Sequence, residues 1–412
     1  LKENYNLQNA TRLRFEVGEF VKGQLAGVEK QKEADRRLGL TPTKGGFGRI
    51  DALGAGGNRL YAKLGDQNLR TLNAPVKIMP LWNTHRYNWV QTNGSIRQPM
   101  ARNIIEALAV SASVVFPGDP QQNDRFLSSV RTENMFKMET LISRFKTPVW
   151  PQSLLGTLDE GKVERGKEHY DLHCAACHAP RMENTPEPGD KVSVRHDKRY
   201  FVARLIPAEE VGTDVTDAKN FAERTLDASA IGLSKNEPGP NIIAMVLGGI
   251  IQRQYDDRKL SQDQQDEWSG YRDNLLRACV AYPARPLAGI WAAAPYLHNG
   301  SVPNLYQLLL PPEQRVKKFC MDSIEYDPVN VGYVYDNNPC SFVLDTSQTG
   351  NSNAGHNYGT SLTHEQRLEL IEFLKVLPFP EGDYETTEPQ ATCPQPGTPG
   401  AVPTATPKSG WW

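Results

Sequence analysis

Residues 174–178 read CAACH, which places Cys174, Cys177 and His178 side by side in the chain. Two thiols three positions apart, followed by an imidazole, suit three chemistries: dithiol exchange, half of a zinc site, or covalent anchoring of a haem whose iron the histidine binds. A zinc ribbon needs a second close pair, yet Cys279, Cys320, Cys340 and Cys393 are scattered and none forms another C-x-x-C. A thioredoxin-type pair follows a strand and opens a helix, whereas the segment before Cys174 already has a helical pattern. Haem attachment alone uses all three positions, because each thiol adds to a vinyl group and His178 turns beneath the ring as proximal ligand.

Such a site needs elements to hold it. Gly166, Tyr170 and Cys174 recur every four residues, so a small residue and an aromatic share one face of a helix that leads into the attachment site. This resembles the first helix of class I cytochromes c, and the resemblance implies that a second helix crosses at the glycine with the aromatic packed at the crossing. The run SLTHEQRLELIEFLKVLPFP supplies that partner: Thr363 and Gln366 form a capping box, Leu368, Ile371, Leu374 and Leu377 form an apolar stripe, and Pro378 stops the helix.

Further helices are expected over 8–38, 101–114 and 133–146, with FGRIDALGAGGNRLYAKL between the first two reading as Gly-rich and turn-like. No strand precedes those glycines and they lack G-x-G-x-x-G order, which excludes a nucleotide loop. The prolines of TPVWPQ suit a boundary. The expected organisation is a helical and Gly-rich region over 1–147, a haem domain over 148–380, and a Pro/Thr-rich tail without a core over 381–412. The fold class is mainly α: a class I cytochrome c-like haem domain with long loops, preceded by a helical and loop region.

Bulk properties agree with an ordinary globular chain. Of 412 residues, 39% are hydrophobic and 23% charged, and the net charge of -2 provides no field to attract nucleic acid or an anionic membrane. No run of eighteen apolar residues suggests a transmembrane segment. The opening LKENYNLQNA carries neither Met nor a leader, so residue 1 reads as a mature end or a truncation point.

The stretch YPARPLAGIWAAAPYLHNGSVPNLY at 282–306, taken with CAACH, FGRIDALG, WVQTNGSIRQPMARNIIEAL and NSNAGHNYGTSLTHEQRLELIEFLKVL, resembles the dihaem cytochrome c peroxidase superfamily, in particular the branch that includes the dihaem rubber oxygenase. The likeness spans most of residues 46–378. It implies an exported bacterial protein, periplasmic or secreted, with haem c covalently attached, and a redox partner protein or a second haem domain. The family carries two C-x-x-C-H sites and this sequence carries one, similar to the family's second. Either the sequence is the C-terminal portion of a longer dihaem polypeptide, the expectation preferred here, or it has lost the first haem and kept its surroundings. In both it holds the electron-transfer haem, and the alternative is a monohaem electron carrier or a subunit of a larger cytochrome assembly without turnover.

Further site residues follow. His356, in a loop of small residues before the closing helix, is the candidate distal iron ligand, with Gly355 and Gly359 giving room for close approach; the oxygenase-like branch is similar at this position and uses a second histidine there. Met245 and Met321 are the thioether rivals, more at home filling gaps in a core. The family match suggests that His298 sits behind the ligands, and that Arg285 and Trp291 bind a haem propionate through guanidinium and indole N–H groups. Trp89 is a candidate for electron transfer between haems or a buried core residue, and Gln91, Asn93 and Glu106 lie where a partner haem's distal side would be. The remaining histidines, His85, His169, His173, His196 and His364, read as surface residues. Cys320 and Cys340 flank a loop that a disulfide could close in an exported protein, whereas Cys279 and Cys393 have no evident partners.

Overall fold

The computed structural model describes residues 7–116, 124–323, 325–336, 340–379, 384–390 and 392–394. Helices dominate, and the strands are short pairs. The helices expected near 8–38, 101–114 and 133–146 occur as Leu7–Leu38, Pro99–Val110 and Thr132–Ile142.

The Gly-rich stretch is not a turn but a helix, Ala52–Tyr61. Asp51 caps it by accepting from the Gly54 N–H at 2.9 Å, and the same carboxylate accepts from Ala74 N at 3.0 Å. A Cβ at Gly56 would stand 3.4 Å from Ala109 Cβ and 3.5 Å from Ile105 Cδ1. The glycines thus lower helix propensity but let this helix lie close against Pro99–Val110, and packing outweighs propensity.

The two largest apolar cores among the described residues frame the site. The first joins Leu53, Leu60, Ile104, Ile105 and Leu108 to Ile242, Val246, Leu247 and Ile250 of the helix Gly239–Asp257. It therefore draws on residues beyond 147, and the N-terminal region closes its core with a helix borrowed from later in the chain. Arg97, fully buried, extends the junction with ion pairs to Glu183 and Asp190.

The second core contains Tyr170, Ala175, Tyr296, Val302, Leu305, Leu370, Ile371, Phe373 and Leu374. It is built on the crossing of Glu160–His173 with the closing helix His364–Val376. At Gly166 an added Cβ would fall 2.0 Å from the Glu369 carbonyl oxygen, so the backbones meet with no room for a side chain. The Tyr170 and Phe373 rings pack there with centroids 5.3 Å apart. The capping box forms as expected, with the Gln366 side chain accepting from Thr363 N at 2.9 Å. The buried stripe is Leu370, Ile371, Phe373 and Leu374, and Leu368 is only half-buried.

Three further expectations change. Cys279 and Cys393, read as having no evident partners, are joined in a disulfide; Cys320 and Cys340 are bonded as the loop between them suggested. The described part of the tail is not coreless: Glu385–Thr387 pairs in parallel with Arg181–Glu183, and the Gln390 amide brackets Leu205, accepting from its N–H and donating to its carbonyl. Residues 395–412 lie outside the described residues. His169 and His196 are not free surface groups, since their Nε2 atoms lie 3.1 Å from Glu369 and 2.7 Å from Asp266. His85 is half-buried, with an Nδ1 that lacks a partner among the described residues.

Candidate haem-binding site

Cys174 ends the helix Glu160–His173, and the single turn Ala175–His178 follows. Both cysteines are free, unlike the other four. Burial pushes the Cys174 thiol up to about 12, with Cys177 and Asp171 adding to the effect, and burial also raises Cys177. A dithiol exchanger needs the opposite, a thiolate stabilised near neutral pH. The bonded state of the remaining cysteines likewise removes them as zinc ligands.

His178 donates its Nδ1–H to the Arg285 carbonyl at 2.7 Å. That bond fixes the tautomer and leaves the Nε2 lone pair for a metal. Burial lowers the pKa of the ring, so it is neutral near pH 7, as a ligand must be.

His356 faces it from the loop before the closing helix, with ring centroids 6.3 Å apart and planes inclined at 46°. The loop is shaped for this approach. His356 itself has φ of +50°, Gly355 has φ of +71°, and a Cβ on Gly355 would lie 2.3 Å from the Gly212 carbonyl carbon. The His356 N–H donates to the Val211 carbonyl at 2.8 Å. Burial, then the charges of His178 and Arg315, push the His356 imidazole down to about 3. Its Nδ1 is buried and has no hydrogen-bond partner among the described residues. The Tyr358 ring stands edge-on to it at 5.1 Å.

These residues fit a haem. An imidazole nitrogen binds a first-row metal at about 2.0–2.1 Å and lies about 1.2 Å from its ring centre, so two rings on opposite sides of one ion have centres about 6.4 Å apart. The observed separation agrees, and both rings are neutral donors beside a free thiol pair.

His298 stacks on Tyr282 at 3.9 Å and lies near Asp214 and Arg49; burial pushes its imidazole down to about 4. Asp214 accepts from Ser352 N at 3.1 Å, and Asn299 donates to the Gly350 and Ser352 carbonyls, so His298 neighbours the groups that anchor the His356 loop rather than facing His178. Arg285 and Trp291 both make hydrogen bonds to the chain. Arg285 Nη2 donates to the Gln91 carbonyl at 2.5 Å and Trp291 Nε1 to the Pro148 carbonyl at 3.1 Å. Arg285 serves the site through its own carbonyl. Trp89 is buried beneath the Arg277 guanidinium at 3.9 Å, with an indole N–H that finds no partner among the described residues. Asn93 is buried, and burial raises the Glu106 carboxyl. Met245 packs on the first core and Met321 with Phe319 and Leu344, outside the cluster around His178.

Asp217 lies on the same segment as Asp214. It is 3% exposed, its Oδ2 has no partner among the described residues, and burial, then Asp51 and Asp214, push the carboxyl up to about 8. Because the folded-state value exceeds that of the unfolded chain, about 3.9, this group favours the fold fully below pH 4 and loses that contribution as pH rises towards 8. Melting temperatures measured from pH 4 to 8 should fall less for Asp217→Asn than for the native chain, and parallel profiles would contradict this.

A family model described as RoxA-like, cytochrome c-like, matches residues 281–320. A cytochrome c-like domain implies haem c. An uncharacterised protein of Sinorhizobium fredii, y4iJ, is 33% identical over 381 residues, which cover 86% of this chain and 63% of the relative. A second uncharacterised protein of that organism, y4iM, is 26% identical over 303 residues, covering 72% of this chain and 60% of the relative. The chain thus spans less than two thirds of the length of these relatives. Among the described residues no helix is long and apolar enough to cross a membrane.

Proposed function

We propose that this chain, with its RoxA-like cytochrome c-like segment, is an exported c-type haem protein of the dihaem peroxidase/oxygenase type, and that it carries the electron-transfer haem. The observation that carries the reading is the 6.3 Å separation of the His178 and His356 rings beside two free cysteines. Cys174 and Cys177 would hold the porphyrin covalently, His178 would be the proximal ligand and His356 the distal one. The haem supplies one-electron chemistry when bound.

The chain's own residues define the role. Held by both His178 and His356, a haem iron would have no open position for peroxide or oxygen and would supply electron transfer here, not substrate activation. The Arg285 carbonyl orients His178, and the buried Tyr170–Phe373 crossing keeps the attachment helix in place. Chemistry on a substrate belongs to a second haem or a redox partner protein, since the sequence has a single C-x-x-C-H. The two disulfides support an oxidising compartment, periplasmic or secreted.

Acidified acetone tests the covalent link. The native holoprotein should keep its colour with one iron per chain, while the doubly substituted Cys174→Ser, Cys177→Ser chain should release its haem and melt at lower temperature. Extraction of haem from the native chain would defeat the proposal. A single-haem electron carrier without turnover shares this site and differs in lacking the second haem; the number of haems per native polypeptide, from intact mass and iron analysis, distinguishes the two.

A further inference from the structure

Arg315 is 2% exposed and forms no ion pair with a carboxylate among the described residues. Every nitrogen of its guanidinium donates to a backbone carbonyl. Nε reaches Leu310 at 3.0 Å; Nη1 reaches Asn353 at 2.7 Å and Gly355 at 2.8 Å; Nη2 reaches Leu308 and His356, both at 3.1 Å. Three of the five acceptors belong to the loop that presents His356, and the other two lie on the segment just before Arg315. One planar fork thus ties the loop's backbone to the Leu305–Leu308 helix and its exit.

Two consequences follow from the chemistry of that fork. The loop has no regular secondary structure of its own, and residues 355 and 356 both have positive φ, so its shape needs an outside template. A buried guanidinium also keeps its charge, and here every hydrogen bond it makes is to a carbonyl, while the Glu313 carboxylate acts on it without pairing. A positive charge held near a redox iron favours the reduced form, which carries one positive charge fewer.

We infer that Arg315 is the positioning residue of the distal ligand: its five carbonyl bonds fix the His356 loop, and its charge, not paired directly with a carboxylate among the described residues, shifts the haem towards the reduced state. The inference rests on the His178/His356 haem reading. Lysine retains the charge but offers three donors from a single point, and glutamine removes the charge with fewer donors still.

The test uses the holoprotein, with the native chain, Arg315→Lys and Arg315→Gln compared by optical spectra, carbon monoxide binding to the reduced form, and reduced-to-oxidised ratio at one fixed solution potential. Both variants should show a high-spin fraction that binds carbon monoxide. Arg315→Gln should in addition lower the reduced-to-oxidised ratio about tenfold, equivalent to 59 mV for a one-electron couple, while Arg315→Lys stays within threefold of native. Variants with native spectra, no carbon monoxide binding and an unchanged ratio would overturn the inference, and so would loss of haem from both, since that would make Arg315 a part of the scaffold alone. Failure of the underlying reading is distinct, because it would appear in the native protein as a spectrum without two-histidine ligation.

Discussion

Replacing His356 with alanine should turn the haem from low-spin to high-spin and open its reduced form to carbon monoxide. The expectation rests on the lack of a substitute: no other histidine ring stacks towards His178 among the described residues, and the loop around position 356 otherwise holds Gly, Ala, Ser, Asn and Tyr358, whose phenol burial pushes up and so keeps protonated and a poor ligand. His356→Met should keep the low-spin state and raise the potential, because a thioether favours ferrous iron more than an imidazole does. His298→Ala is the control. Its ring stacks on Tyr282, away from His178, so the spin state should hold while the potential shifts modestly. An unchanged low-spin spectrum in His356→Ala, or sulfur-to-iron absorption in the native protein, would reject the ligand assignment.

The second large effect concerns the helix crossing. Gly166→Val places a Cβ 2.0 Å from the Glu369 carbonyl oxygen and 2.9 Å from Phe373 Cβ. The first obstacle is backbone, so the two helices must separate and the Tyr170–Phe373 contact must loosen with them. Overpacking of a good core commonly costs 1–3 kcal/mol, and a clash with backbone lies at or above that ceiling, so about 3 kcal/mol or more is expected. Thermal melting of the holoprotein should fall by several degrees, whereas Gly161→Val near the start of the same helix, where a Cβ would be 3.4 Å from its nearest neighbours, should change little. Equal melting of the two variants would contradict the crossing geometry.

Legibility in the sequence followed the range of the interaction. CAACH and the Thr363/Gln366 capping box are complete within a few residues, so their chemistry could be read directly. Gly166 was readable only as one half of a crossing, and Glu369 supplies the other half. The Ala52–Tyr61 helix was missed because its glycines are explained by close packing on Ala109 and Ile105, which no local rule contains. Cys279 and Cys393 are 114 residues apart, and connectivity does not follow from spacing at that distance. Arg315 left no signal at all: in PPEQRVKKF it looks like one more surface cation, and its five acceptors are backbone groups that only the fold assembles. With Arg285 the residue is legible as part of the site, but a side-chain motif cannot reveal that its carbonyl is what His178 uses.

The division of the six cysteines into two bonded pairs and one free pair sets a problem of timing during biogenesis. The compartment that oxidises Cys279 with Cys393 will equally oxidise Cys174 with Cys177, which are nearer in sequence and lie in a flexible newly made chain before their surroundings close. A chain whose C-x-x-C has closed on itself cannot receive porphyrin. Under the proposed haem attachment, holoprotein yield is therefore a competition at the same thiols between thioether formation, which is irreversible in practice, and a disulfide, which a reductant can reopen. Delivery of haem, or of a reductant aimed at that pair, must win while the long-range Cys279–Cys393 bond is still unmade or is left untouched, so the rate of maturation sets how much functional protein a cell obtains.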